Sequence, residues 1–369
     1  MRILRIKATG FRKLEPGFTL DFIPVKTPRN SMYDNELNFL FKNVYCPICY
    51  TFIGGNGQGK TSTLALISLC YDLLLENKVV YRSLDFSGSQ IELEIVFFEK
   101  GKIYKYGCIL LRPVEERFHV AYCKVERLYL TYKTVNKVKH STVNKGVFRN
   151  VKSETLKIED APLVFRLTQL SKHEIMNLIC KYYDCIEKDT LLEIIRMFGF
   201  PVECLKCSED KNYIFIKCYG KLYKFTLSEM TEIISFGTIR GILLFMMGYF
   251  VLKFGGVLIV DELESSINMP IVYNFINLFL DSSTNTKGAT VYCSTYQGTV
   301  LDIFHRSDNI YYLRKNELGY VSVKQLLEVI GNHIRGYKSK IITKIKDFDN
   351  KSYKISQKLI QLIIMQFIG

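Results

Sequence analysis

The chain has 369 residues and a formal net charge of +14, from 50 Lys and Arg against 36 Asp and Glu. Hydrophobic residues make up 48%, including 24 Tyr and 25 Phe but no Trp, enough to bury a sizeable core and to exclude a disordered chain. Eight Pro and 23 Gly exclude collagen-like and low-complexity classes.

Residues 1–26 alternate apolar and polar and predict two strands of a hairpin; 28–43 read as a polar loop. A strand at 49–53 stops at a glycine-rich turn. The stripe Leu64, Ile67, Leu69, Leu73 and Leu74 then predicts a helix over 60–76. From 90 to 150 the period is that of strands: Ile91, Leu93, Ile95 and Phe97 start an alternation that continues through 102–111 and 119–132. Ser171 with Glu174 predicts a capping box and a helix to Tyr183; Thr190 with Glu193 repeats it, and Gly199 closes that second helix. Residues 212–227 read as a hairpin around Tyr219-Gly220. The last third predicts a helix at 238–253 ending at Gly255-Gly256, a strand at 257–260 and a helix from Pro270. A strand at 290–294, a short helix at 299–305 and a strand at 309–314 follow. Strands alternating with helices argue a mostly parallel sheet covered by helices. The fold class is therefore α/β, its core built from both ends of the chain, with an all-β and then a helical stretch between.

The longest apolar run, Ile242–Leu252, falls short of the ~20 residues of a membrane span. The start is charged from Arg2 and lacks the apolar region of a signal peptide. A cytoplasmic protein without membrane contact is the expectation, and 11 Cys set mostly in apolar stretches fit a reducing compartment. Segments 119–157 and 335–358 carry nearly all the net positive charge. They read either as contacts for an anionic partner such as DNA or as a solvated basic face. Cys46-Pro-Ile-Cys49 and Cys204-Leu-Lys-Cys207 could form a Cys₄ zinc site, but they lie far apart with no compact ribbon, so structural thiols are the plainer reading.

Residues 54–62, Gly-Gly-Asn-Gly-Gln-Gly-Lys-Thr-Ser, match G-x-x-x-x-G-K-[ST] between a predicted strand and a predicted helix. Gly54, Asn56, Gly57, Gly59 and Ser62 belong to a backbone that can turn its N–H groups toward phosphate oxygens. The helix N-terminus adds positive potential. Lys60 can reach the β/γ-phosphates of ATP, and Thr61 offers a hydroxyl to Mg²⁺. The alternative is a flexible glycine loop with a chance lysine. Further on, Val257–Val260 is an apolar run ending in Asp261-Glu262. The strand's C-terminal end is where α/β sheets bind ligands. Asp261 fits beside Mg²⁺ and Glu262 is placed to act as general base toward the attacking water; two solvated acids at a strand end are the plain alternative.

Ser235-Phe-Gly237-Thr238-Ile-Arg240 before a helix is a second potential phosphate site, though a plain helix cap explains it equally well. In order, 54–61, 235–240 and Asp261-Glu262-Leu-Glu-Ser265-Ser266 resemble an ABC-type ATPase head. The likeness is to the RecF/SMC/OLD branch, and within it to standalone ATPases of bacterial abortive-infection and anti-phage systems. Gly10-Phe11-Arg12 resembles that branch's opening motif, which places Arg12 near nucleotide. Asp308–Tyr312 resembles the strand after the switch, and Asn332–Tyr337 a short C-terminal motif. The resemblance implies a head over 1–337, made of an N-terminal lobe (1–158), a helical and hairpin insertion (159–232) and a signature and switch lobe (233–337). A basic, apolar-ended helix at 338–369 follows.

It also implies an ATP-dependent homodimer or higher homo-oligomer, in which Ser235, Gly237 and Thr238 of one chain complete the site of the other. The family's switch His is replaced here by Tyr296-Gln297, and its D-loop His by Asn268. Neither Tyr nor Gln can stand in for a protonated His toward phosphate, so slow turnover is implied. Too little chain follows residue 315 for an OLD-type nuclease, which implies a separate effector, a nuclease or toxin. A long coiled-coil arm is excluded by the absence of heptads between 62 and 233. A DNA-binding, RecF-like repair ATPase and a slow nucleotide-sensing scaffold are the other readings.

Overall fold

A computed structural model describes residues 1–25, 34–42, 44–76, 79, 84–112, 123–134, 148–150, 161–168, 170–210 and 212–330. The basic segment 335–358, the motif Asn332–Tyr337, the helix expected over 338–369 and most of 119–157 lie outside the described residues.

In chain order the first elements are β1 (Arg2–Thr9), β2 (Phe18–Asp21), β3 (Leu37–Phe41), β4 (Val44–Pro47), β5 (Cys49–Ile53) and α1 (Lys60–Glu76). Next come β6 (Gln90–Glu99), β7 (Lys102–Leu111), β8 (Lys124–Thr134), β9 (Arg149–Asn150), β10 (Val164–Leu167), α2 (Lys172–Tyr182) and α3 (Lys188–Met197). β11 (Val202–Cys207), β12 (Tyr213–Cys218), β13 (Lys221–Thr226), α4 (Leu227–Ile233) and α5 (Phe236–Phe254) follow. The chain continues through β14 (Val257–Val260), α6 (Met269–Leu280), β15 (Thr290–Thr295), β16 (Ile310–Lys315), β17 (Val321–Gln325) and α7 (Leu326–Ile330).

Two six-stranded sheets organise the described residues. One has the order β2-β1-β6-β7-β8-β9 and is antiparallel throughout. The other has the order β10-β14-β15-β5-β16-β17 and is parallel except for β17. The second is buried on both faces, which is why β14 and β15 read as unbroken apolar runs. Val257 and Ile259 pack toward α1 and the antiparallel sheet, where Tyr50 and Tyr292 stack at 4.7 Å. Leu258 and Val260 pack the other way, against α2, α3, α5 and α6. α1 therefore sits between the two sheets, and this explains why Leu64, Leu66, Ile67, Leu69, Cys70 and Leu73 are all buried rather than one stripe.

By length and composition α5 is long and apolar enough to cross a membrane, but 67% of its apolar window is buried inside the molecule. It ends, as its sequence predicts, at a left-handed Gly255. Ser171 forms the expected capping box with Glu174. Thr190 does not: α3 begins earlier, with Glu187 as its N-cap and no side-chain cap bond. The segment read as a polar loop contains β3, which pairs with β4, and the short helix expected at 299–305 is a 3₁₀ segment at Gly298–Ile303. The thiols of Cys46, Cys49 and Cys293 are buried, and desolvation pushes each pKa up, Cys46 to about 11. Among the described residues no three His, Cys, Asp or Glu come together as a metal-binding group.

Candidate functional site at the C-terminal edge of the parallel sheet

Because β10, β14, β15 and β5 are parallel, their C-terminal ends share one edge, the edge at which such sheets hold ligands. The 54–59 loop leaves β5 there and turns into α1. Gly57 and Gly59 have φ of 73° and 93°, values that favour glycine. At Gly59 space enforces the same choice: a Cβ would come within 2.6 Å of the Val321 side chain. The Lys60 ammonium donates to the carbonyls of Gly54 (2.8 Å) and Gly55 (3.1 Å), so it lies back over the loop. Asn56 and Gly57 are exposed on the loop's outer side.

Thr61, in the first turn of α1, donates its hydroxyl to Asp261 Oδ2 at 2.6 Å. The two residues are 200 positions apart and meet only because β14 ends beside the loop. Ser294 at the end of β15 donates to the other oxygen, Asp261 Oδ1, at 2.5 Å, and its oxygen accepts the Glu262 N–H at 2.7 Å. Glu262 is exposed and has φ of 50°, a left-handed conformation that is strained for a non-glycine residue. Its side chain is thus held at the rim of the edge by a fixed, unusual backbone.

Arg12 reaches this edge from the opposite side. Its Nη1 is 3.5 Å from Ser62 Oγ, and its Nε is buried with no hydrogen-bond partner among the described residues. Gln90 opens β6 and donates to Glu92. The strand that does end beside Asp261 is β10, whose Leu167 carbonyl accepts the Asp261 N–H at 3.1 Å.

Ser235 is the N-cap of α5, accepting the Thr238 N–H at 3.2 Å, with the two hydroxyls 2.9 Å apart. A Cβ on Gly237 would lie 1.9 Å from the Ser266 carbonyl oxygen. That glycine is therefore required by the chain's own packing, before any second molecule is considered. One turn on, the Arg240 guanidinium donates to the carbonyls of Ser265 (2.8 Å), Asp261 (2.6 Å) and Glu262 (2.7 Å). Desolvation lowers its pKa, opposed by the charges of Glu262, Glu264 and Asp261. Arg240 ties α5 to the turn that carries both carboxylates. A cavity of about 260 Å³ opens between them, with Thr61, Phe236, Arg240, Asp261 and Glu262 in its lining.

Tyr296 follows β15 with its side chain 50% exposed; its N–H donates to Glu264 Oε1 at 2.8 Å. Gln297 closes a turn on the Thr295 hydroxyl. Glu264 is 2% exposed and its other oxygen has no partner among the described residues. No sequence motif assigns a role to Ser294 or Glu264, and Arg240 belongs to one only as the end of Ser235–Arg240. A hydroxyl at the end of the strand next to the acidic pair was the available signal for Ser294.

The donor set around Thr61 and Asp261 is hard oxygen on one side of a phosphate-type cradle. This fits Mg²⁺, which takes one or two carboxylates and completes its shell with phosphate oxygens and water.

No family model matches the chain, and no curated protein matches it. Solved structures do. An SMC head domain from Thermotoga maritima is similar at 14% identity, covering 88% of this chain and 99% of that one, with a TM-score of 0.42. cbiO1 from Clostridium perfringens, part of the ABC transporter complex cbiONQ, is similar at 12% identity over 97% and 100%, with a TM-score of 0.33. A dimeric ATP-binding cassette in a post-hydrolysis state, bound to ADP and phosphate, is similar at 14% identity over 90% and 100%, with a TM-score of 0.32.

Proposed function

We propose that the chain is an ATP-binding and ATP-hydrolysing head of the ABC type, which pairs with a second copy on ATP and controls a separate effector, a nuclease or toxin, in bacterial antiviral defence. The observation that carries the ATPase reading is the 2.6 Å contact between Thr61 and Asp261, at the mouth of a glycine loop and next to Glu262. Loop N–H groups, Lys60 and Arg12 would hold the phosphates. Thr61 and Asp261 would hold Mg²⁺, which when bound supplies positive charge to the phosphate oxygens. Glu262, its backbone fixed by Ser294, would accept the proton of the attacking water. Ser235, Gly237 and Thr238 at the start of α5 would close the site of the partner copy. Tyr296 and Gln297 offer hydrogen bonds at the switch and no cationic ring, which fits slow turnover. The effector and the defence role rest on the motif resemblance alone.

The test is Glu262→Gln with ATP and Mg²⁺ in size-exclusion chromatography. A stabilised dimer is expected, absent when Lys60→Ala is added; a monomer under both conditions would refute the paired mechanism. Recovery of a nuclease or toxin on the tagged Glu262→Gln chain with ATP, and not with ADP, is expected if the effector reading is right.

A second reading, a RecF-like ATPase that contacts DNA itself, draws on the outer face of β7 and β8. Lys105 and Lys133 both lie over the Phe148 ring, at 5.3 and 4.7 Å, bringing two ammonium groups together. Lys133→Ala should then weaken DNA binding and flatten its salt dependence. Lys137 and Lys139, in the same basic segment, lie outside the described residues.

A further inference from the structure

We propose that the outer face of the β11-β12-β13 sheet is a binding platform for single-stranded nucleic acid. The register fixes which residues share that face, since side chains directly opposite across a ladder lie on the same side. Ile214 and Ile216 are buried in the core, so Tyr213, Phe215 and Lys217 on the middle strand point the other way. Phe215 lies opposite Lys224 on β13 and Lys206 on β11, and Lys217 lies opposite Leu222. The outward face therefore has two aromatic rings at its centre, two residues apart on one strand, with a lysine on each of the three strands around them.

An outward face of an antiparallel sheet ordinarily reads polar. Here it breaks that pattern at Tyr213, Phe215 and Leu222, the last 68% exposed. The Lys224 ammonium sits 3.7 Å from the Tyr213 ring centroid and 5.9 Å from that of Phe215. Among the described residues of this face the acidic group is Glu203, 3.2 Å from Lys217, and both side chains of that pair are more than 40% exposed. Flat rings beside flexible ammonium groups suit a ligand that offers π faces and phosphates together, with bases on Tyr213 and Phe215 and the backbone on Lys206, Lys217 and Lys224. A symmetric contact with a second copy is disfavoured, because it would set these lysines against their own images. The platform is separate from the phosphate loop and does not depend on the ATPase reading.

The experiment is fluorescence anisotropy of the full chain with fluorescein-labelled oligo-dT and oligo-U, at several salt concentrations. Tyr213→Ala with Phe215→Ala should weaken binding by about tenfold or more. Lys206→Ala, Lys217→Ala and Lys224→Ala together should reduce the slope of log affinity against log salt by about 2. Leu222→Glu, at a position too exposed to unfold the chain, should also weaken it. Comparing the two oligomers tells DNA from RNA as the natural strand. The proposal is overturned if the wild-type chain binds neither oligomer, or if affinity is unchanged in variants whose thermal unfolding matches that of the wild-type chain. It is also overturned if affinity is lost with Lys133→Ala and retained with the aromatic pair replaced, or if the variants alter self-association alone, which would mark a protein contact.

Discussion

Ser294 has a single hydroxyl and holds both acidic residues of the candidate site: its proton goes to the Asp261 carboxylate, and its oxygen receives the backbone N–H of Glu262. Ser294→Ala leaves that N–H unpaired at the one residue of the pair whose backbone is already strained. A lost bond to a charged acceptor and an orphaned donor cost about 1–3 kcal/mol. If that cost falls on the placement of Glu262, turnover drops roughly tenfold to a hundredfold. ATP affinity, assigned in the proposed function to the loop and Lys60, should change far less; steady-state turnover and ATP titration of the same sample separate the two. At Gly237 the constraint is steric. Gly237→Ala places a methyl carbon at 1.9 Å from the Ser266 carbonyl oxygen, and neither backbone can yield without moving α5 or the turn after β14. Overpacking of this kind costs about 1–3 kcal/mol, which urea denaturation would register as a lower midpoint at unchanged slope.

At the scale of elements, what the sequence showed and what it hid divide along locality. β5, the glycine loop, α1 and β14 could be read to within a residue because each carries its signal within its own span. β10 and β17 could not. Four residues at Val164–Leu167 are too few for a period, and β17 is defined by pairing with β16 and by Val321 packing on Gly59. β3 was hidden because its exposed Phe39 and buried Asn38 invert the usual pattern; the Asn38 amide donates to backbone carbonyls of Gly288 and Ala289. Arg240 was invisible as a clamp for a related reason: its acceptors are backbone carbonyls, which any sequence supplies. The capping signals give a direct comparison. Ser171→Ala removes a capping box that is formed and should cost about 1 kcal/mol, whereas Thr190→Ala removes a cap that is not formed and should be near neutral. Equal losses in thermal denaturation would mean that α3 starts where its sequence pattern puts it.

For the whole molecule, the question is whether the proposed cradle, the 54–61 loop, and the proposed lid, the start of α5, act within one chain or across two. Within one chain, Gly237 and Arg240 already have partners in the turn after β14, and the N-terminus of α5 is committed to Ser235 and Thr238. The start of α5 is therefore tied to its own acidic turn, and a second copy that used it as proposed would leave that tie in place. If a second copy does use it, two disabled chains can rescue each other. A Lys60→Ala chain keeps an intact lid, and a Ser235→Arg chain keeps an intact cradle. Each mixed dimer has one whole site and one doubly broken one, so it carries at most about half the turnover of a wild-type dimer, and turnover should return from two preparations that are inactive alone. Recovery should rise and fall with total protein concentration, as a bimolecular assembly requires. A site closed within one chain gives no recovery at any mixing ratio, and that result would remove the second copy from the mechanism while leaving the contact of Thr61 with Asp261 as it stands.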